Sequence, residues 1–176
     1  MRVILIVLLV VGFANVLNAQ QTPRFTKMPI GNSGAYAYMP AKGDPAEFSY
    51  SQDSSKVFTM NASFDDYLYD VIYIEFAQAF ETDEQVDAVL VSYLDYLKTV
   101  LKTTSCAGYG KGHILSTHKQ AQGVKDYCKD DEGSELQLMR WADKHYLAVL
   151  VITGDKQYPN QSVVDMFLNG IRFPGD

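Results

Sequence analysis

The chain has 176 residues, with 15 lysines and arginines against 21 aspartates and glutamates, a net charge of −6. Nucleic acid and anionic membrane surfaces both require a basic footprint, so neither is expected as a partner. Two cysteines and three histidines are its whole stock of thiol and imidazole groups, and no internal repeat or low-complexity segment is present.

The first nineteen residues, "MRVILIVLLVVGFANVLNA", hold one basic residue, Arg2, an apolar run from Val3 to Val11, and a transition to small residues ending at Ala19. A short positive region, an apolar run shorter than the roughly 20 residues of a membrane span, and a small residue at the cut predict a signal peptide over 1–19. The alternative is a membrane anchor. Cleavage after Ala19 leaves Gln20 first, with no cysteine there to take a lipid, and a net charge of −7 from 14 basic and 21 acidic residues. What remains is one domain's worth of chain, long enough to bury a core. The protein is therefore expected to be secreted or periplasmic, with no transmembrane anchor after cleavage. Residues 20–32 form a linker-like N-terminal extension, and 33–176 form a single domain.

Within the domain, "GAYAYMPAKGDP" predicts a short strand stopped by Pro40. The stretch "AEFSYSQDSSKVFTMNASF" predicts a hairpin whose turn is Gln52 to Ser55. In "YLYDVIYIEFAQAF" the period is two. Ile72, Ile74 and Phe76 share one face and Tyr67, Tyr69, Val71 and Tyr73 the other, a strand apolar on both sides. The period then changes. Val86, Leu90, Tyr93, Leu97, Val100 and Leu101 recur at three- and four-residue steps, one stripe of an amphipathic helix. Thr82 and Gln85 form its capping-box pair, Asp83 and Glu84 lie in its positive first turn, and Lys98 and Lys102 in its negative last turn.

The helix runs into "TTSCAGYGKGHILSTH", Thr103 to His118, read as a frayed helix end, a glycine-rich exit turn and a strand "HILSTH". Further strands follow in "GVKDYCK", "SELQLMRW" and "HYLAVLVIT". The run from Tyr146 to Ile152 is apolar throughout, which predicts a central strand covered on both faces. Asp143 and Lys144 connect the last two strands as a hairpin. A final helix starts at the Asn160 cap, turns Val163, Val164, Phe167 and Leu168 inward, and stops at Gly170. Strands meeting mostly through short turns, with one long central helix and one C-terminal helix, predict an α+β domain on a mainly antiparallel sheet of six to eight strands.

Cys106 and Cys128 stand alone. Export to an oxidising compartment predicts a disulfide between them; the alternative is two buried thiols that never meet. Without CxxC spacing they supply neither half of the usual zinc pattern. The glycines Gly108, Gly110 and Gly112 resemble a phosphate loop, but such a loop needs a strand before it and a helix after it, and here the order is reversed. His113 and His118, five apart on one strand, would point to opposite faces, and His145 beside a turn reads as solvated. No metal and no cofactor is expected. The acidic runs Asp65-Asp66 and Asp130-Asp131-Glu132 fall at turns and lack EF-hand spacing. Of the twelve tyrosines, Tyr36 and Tyr38 share one strand face and Tyr67, Tyr69 and Tyr73 another. These rings form either an aromatic binding surface or part of the core beneath the helices.

The order of elements also carries a resemblance. "SGAYAYMPAKGDP" looks like the opening G-x-F-x-x-x-x-P-x-x-P of a group of uncharacterised secreted bacterial domains. "QGVKDY" looks like that group's internal Gly-Arg-Glu strand, and "KHYLAVLVITGDKQYPNQSVVDMFLNGIRF" like its closing hairpin, helix and F-x-x-S-F-x end. The layout is similar to the PsbP-like α/β/α sandwich, named for an extrinsic subunit of the photosynthetic oxygen-evolving complex. The chain departs from the group's pattern at Ala35, Lys42-Gly43 and Asn169-Gly170. The resemblance implies a fold and no chemistry, since relatives of this sandwich are mostly accessory or binding domains. The expected function is an exported non-enzymatic domain that binds a protein partner or small ligand. The alternative is a thiol-dependent enzyme using Cys106 with a nearby histidine, which needs a base and a positive local field beside the thiol.

Overall fold

The computed structural model describes residues 23–108, 110–154 and 160–176. The signal peptide expected over 1–19, and the first residues of the 20–32 extension, lie outside them. Eleven strands and two helices make up the described residues. The strands are β1 (Thr26–Pro29), β2 (Tyr36–Met39), β3 (Glu47–Tyr50), β4 (Lys56–Phe64), β5 (Tyr67–Glu75), β6 (Thr103–Cys106), β7 (Gly110–Leu115), β8 (His118–Asp130), β9 (Glu135–Ala142), β10 (Tyr146–Gly154) and β11 (Ile171–Arg172). The helices are α1 (Asp83–Val100) and α2 (Gln161–Leu168). Eight strands form one antiparallel sheet in the order β3-β4-β5-β10-β9-β8, whose outer flank beyond β8 is shared by β7 and β6. A second, three-stranded sheet is ordered β1-β2-β11. The molecule is α+β and mainly antiparallel, as the short connections predict.

The period-two alternation sorts the large sheet into two cores. From β5, Tyr69, Val71 and Tyr73 face one side, joined by Ala148, Leu150 and Ile152 of β10 and Trp141 of β9; α2 and the small sheet close this side with Val164, Phe167, Ile171 and Ala37. On the other side Ile74, Leu147, Val149, Val151 and Leu138 pack under Val86, Leu90 and Leu97 of α1. β10 lies between β5 and β9 and is buried on both faces, which is why its sequence is a continuous apolar run. Trp141, the single tryptophan, donates its indole N–H to Leu168 O at 2.8 Å, tying β9 to the end of α2.

Local chemistry sets the boundaries. Thr82 and Gln85 make the capping box of α1, with Asp83 and Glu84 in its first turn and Lys98 in its last. The β4–β5 connection is the two residues Asp65 and Asp66, both at positive φ (53° and 65°), the hairpin geometry that aspartate tolerates. The turn after β8 is held by Asp130, whose Oδ1 accepts from Glu132 N and Ser134 N.

Five sequence readings change. The packed part of the chain begins before Ser33: Thr26–Pro29 pairs with β2, and Ile30 is fully buried, because Met28 and Ile30 supply apolar side chains to the small sheet's underside. The buried stripe of α1 takes Leu94 in place of Val100, which is 54% exposed at the frayed end. Thr103 to Cys106 is strand β6 and not the end of a helix, since Lys102 at φ 49° reverses the chain and "TTSC" pairs with β8. "HILSTH" is not one strand: Ser116 and Thr117 form a turn, and His118 opens the long β8 that also contains "GVKDYCK". Finally α2 is capped at Asn169, one residue before Gly170.

Candidate functional site

The long β8 places its first residue, His118, at the end of the sheet where the β9–β10 turn also lies, because β8, β9 and β10 form an antiparallel meander. There both ring nitrogens of His118 meet carboxylates. Nδ1 lies 2.8 Å from Asp176 Oδ1 and Nε2 lies 2.8 Å from Asp143 Oδ2. Each carboxylate is anchored by its other oxygen. Asp143 Oδ1 accepts from the backbone N–H of His145 (2.7 Å) and Tyr146 (2.8 Å), and Asp176 Oδ2 accepts from Phe173 N (2.8 Å). The imidazole also packs on the Phe173 ring at 4.8 Å. Burial disfavours the imidazolium, but the hydrogen bonds to Asp176 and Asp143 outweigh it and hold the pKa above its ordinary value.

His118 and Asp143 line a cleft of about 520 Å³ together with Lys119, Gln122, Lys144, His145 and the first turn of α1 at Asp83 and Val86. A neighbouring cleft of about 410 Å³ shares Lys119 and Gln122 and adds His113 and Lys111. All three histidines of the chain therefore line two adjoining hollows. Three contacts stitch the rims to α1 and to the residues just before it. Lys111 Nζ meets Asp87 at 2.7 Å, Lys144 Nζ donates to Glu81 O at 2.8 Å, and Gln122 Nε2 donates to Asp83 O at 3.4 Å. Chemically the first cleft is a hollow of mixed polarity whose rim carries lysine ammonium groups and the Asp83 carboxylate and whose wall holds a doubly anchored imidazole.

At the opposite end of β8, Cys128 is the direct cross-strand partner of Cys106 on β6, and the two are disulfide-bonded with Cα atoms 4.1 Å apart. Asp126, fully buried two residues before Cys128, accepts from Gly108 N and Tyr127 N at 2.9 Å through Oδ1. The hollow beside the disulfide is lined by Ser105, Tyr127, Lys129 and Glu135 and, among the described residues, by no histidine. His118 is engaged at the other end of the strand.

The five tyrosines weighed as a binding surface do not share one surface. Tyr69 and Tyr73 are fully buried between the large sheet and the α2 side, 5.1 Å from Phe167 and 6.1 Å from Phe173, and burial raises both phenols. Tyr67 is half-buried, so close to Gly154 that a side chain there would strike its ring. Tyr36 and Tyr38 point outward from the small sheet, half-buried, with Lys27 Nζ 3.5 Å over one ring and Arg172 5.5 Å over the other. The period-two rule grouped each set correctly on its own strand, but which set is covered depends on the second sheet.

No sequence signal announces the histidine cleft directly. His118, Asp143 and Asp176 are far apart in the chain, and only the correct length of β8 would have placed its first residue beside the turn after β9. No family model matches the chain, and no curated protein matches it.

Proposed function

We propose that this chain is an exported, non-catalytic binding domain of PsbP-like layout, and that a small anionic ligand seats in the cleft beside His118. The observation that carries the reading is the pair of 2.8 Å contacts that commit both nitrogens of His118 to carboxylates within a cleft of about 520 Å³. A catalytic histidine needs a nitrogen facing its substrate. This one instead fixes three segments of the fold around the hollow. The volume lies in the range of small-molecule sites, roughly 300–1,000 Å³. Lys119 and Lys144 on the rim supply the ammonium donors that an anionic group would need, set against the Asp83 and Asp143 carboxylates of the same lining, the latter already engaged by His118. Export is supported by the charge and apolar pattern of the first nineteen residues and by the disulfide. No helix among the described residues is long and apolar enough to cross a membrane.

The test is an amide chemical-shift titration of the chain from Gln20 onward with a panel of small carboxylates and phosphates. Shifts are expected at Lys119, Gln122 and Lys144, and the double variant Lys119→Glu, Lys144→Glu should abolish them. Shifts confined to other surfaces, or unchanged by that variant, would sink the reading.

A further inference from the structure

The disulfide end of β8 carries a second arrangement. The sulfurs of Cys106 and Cys128 and a carboxylate oxygen of Asp126 all lie within 4.8 Å of one another. Asp126 is fully buried, and its Oδ2, unlike Oδ1, accepts no hydrogen bond. Lys98 of α1 places its Nζ 3.9 Å from that oxygen. A buried carboxylate oxygen without a donor is costly unless something else meets it. Here it stands beside two sulfurs that cannot donate while they are bonded to each other.

We propose that reduction of the Cys106–Cys128 disulfide opens a binding site for a borderline-soft divalent cation such as Zn²⁺ or Cd²⁺, with Cys106, Cys128 and Asp126 as its three protein ligands. The reductant is a dithiol. Its thiolate attacks Cys106 Sγ, the more exposed of the two. The Cys106–Cys128 bond breaks and Cys128 leaves as a thiolate. The reductant's second thiolate then attacks the mixed disulfide, releasing Cys106 and leaving the reductant oxidised by two electrons. Two protons from the reductant end on the two cysteines, and the cation displaces them into solvent as two metal–sulfur bonds form.

Two thiolates and one carboxylate supply three negative charges. A divalent ion with the Lys98 ammonium balances them, which is the condition for burying such a cluster. Metal–sulfur bonds of about 2.3 Å place two ligands of a tetrahedral ion about 3.8 Å apart, a separation that directly opposed strand residues reach by side-chain rotation. The hollow of about 400 Å³ is lined by both cysteines and gives the reductant a route to their sulfurs, while Asp126 closes the site from the buried side.

The experiment reduces the chain from Gln20 onward with a phosphine, which does not compete as a thiol, and titrates it anaerobically with Cd²⁺. One equivalent should raise a thiolate-to-cadmium ultraviolet band in the reduced chain and none in the oxidised chain. Asp126→Asn, with its near-ultraviolet dichroism retained, should bind at least about tenfold more weakly. X-ray absorption at the metal should show two sulfurs with oxygen completing the shell, a readout that stands even if the variant does not fold. No band on reduction, equal affinity in Asp126→Asn, or a shell of four sulfurs or of none would overturn the proposal.

Discussion

Asp70 shows how much one residue's setting can oppose its chemistry. It sits on β5 opposite Asn61 on one side and Val151 on the other. Burial, with no compensating charge, pushes its carboxyl up to about 6. An unfolded aspartate titrates near 4, so the native state holds the proton more tightly than the unfolded chain. This group's contribution to stability is therefore greatest below about pH 4 and is lost as pH rises through about 6. Its shift corresponds to about 2 kcal/mol once partial solvent contact is allowed for. We expect Asp70→Asn to raise the urea midpoint at pH 7 and leave it nearly unchanged at pH 4. An unaltered slope of stability between pH 4 and 7 would remove this account. The alternation in "YLYDVIYIE" puts Asp70 on the face with Ile72 and Ile74, and in the structure that face packs against α1.

At the scale of elements, β8 governs the most. Its thirteen residues pair with β9 along one edge and with β7 and β6 along the other. The pattern of the sequence divides it, ending one strand at His118 and opening the next at Gly123. The real turn, Ser116–Thr117, has no glycine or proline to mark it. Gly123 lies where β8 passes between β7 and β9. A Cβ there would sit 2.3 Å from Trp141 Cζ3 and 2.8 Å from His113 Cβ. Trp141 is locked by its bond to Leu168 O and cannot yield. Gly123→Ala should therefore cost at least about 2 kcal/mol, as overpacking of a closed core does, and shift the tryptophan emission. An alanine variant of native stability and emission would show that Trp141 does not close the space over Gly123. By contrast α1 was legible from its capping box, charged ends and 3.6-residue stripe, since each is a local signal.

Over the whole molecule, His118 joins the start of β8, the β9–β10 turn and the residues after β11. Its pKa is raised in the fold, so the stabilisation is complete below the unfolded value of about 6.5 and is lost as pH rises through the folded one. We expect His118→Gln to lose about 1.5–3 kcal/mol at pH 6, the range for hydrogen bonds to charged groups, and much less at pH 9. Equal losses at both pH values would show that the ring contributes by packing on Phe173 and not by charge. The two titrations act in separate windows, Asp70 below and His118 above about pH 6, and both lower stability as pH increases.

Local pattern alone determined the helices, the two-faced strand β5, the buried central strand β10 and the α+β class. Each follows from the spacing of side chains within one element. The two cysteines and the apolar start likewise carried the expectation of a disulfide, which the structure contains. Tertiary structure decided what no single element encodes. The small sheet and α2 cover Tyr69 and Tyr73 while Tyr36 and Tyr38 stay outward. The full length of β8 sends His118 to two carboxylates and Cys128 to Cys106 beside Asp126. The physical reason is distance along the chain. Periodicity reports which way a side chain points, whereas a site depends on which other strand arrives opposite it, and that is set by pairing across the whole sheet.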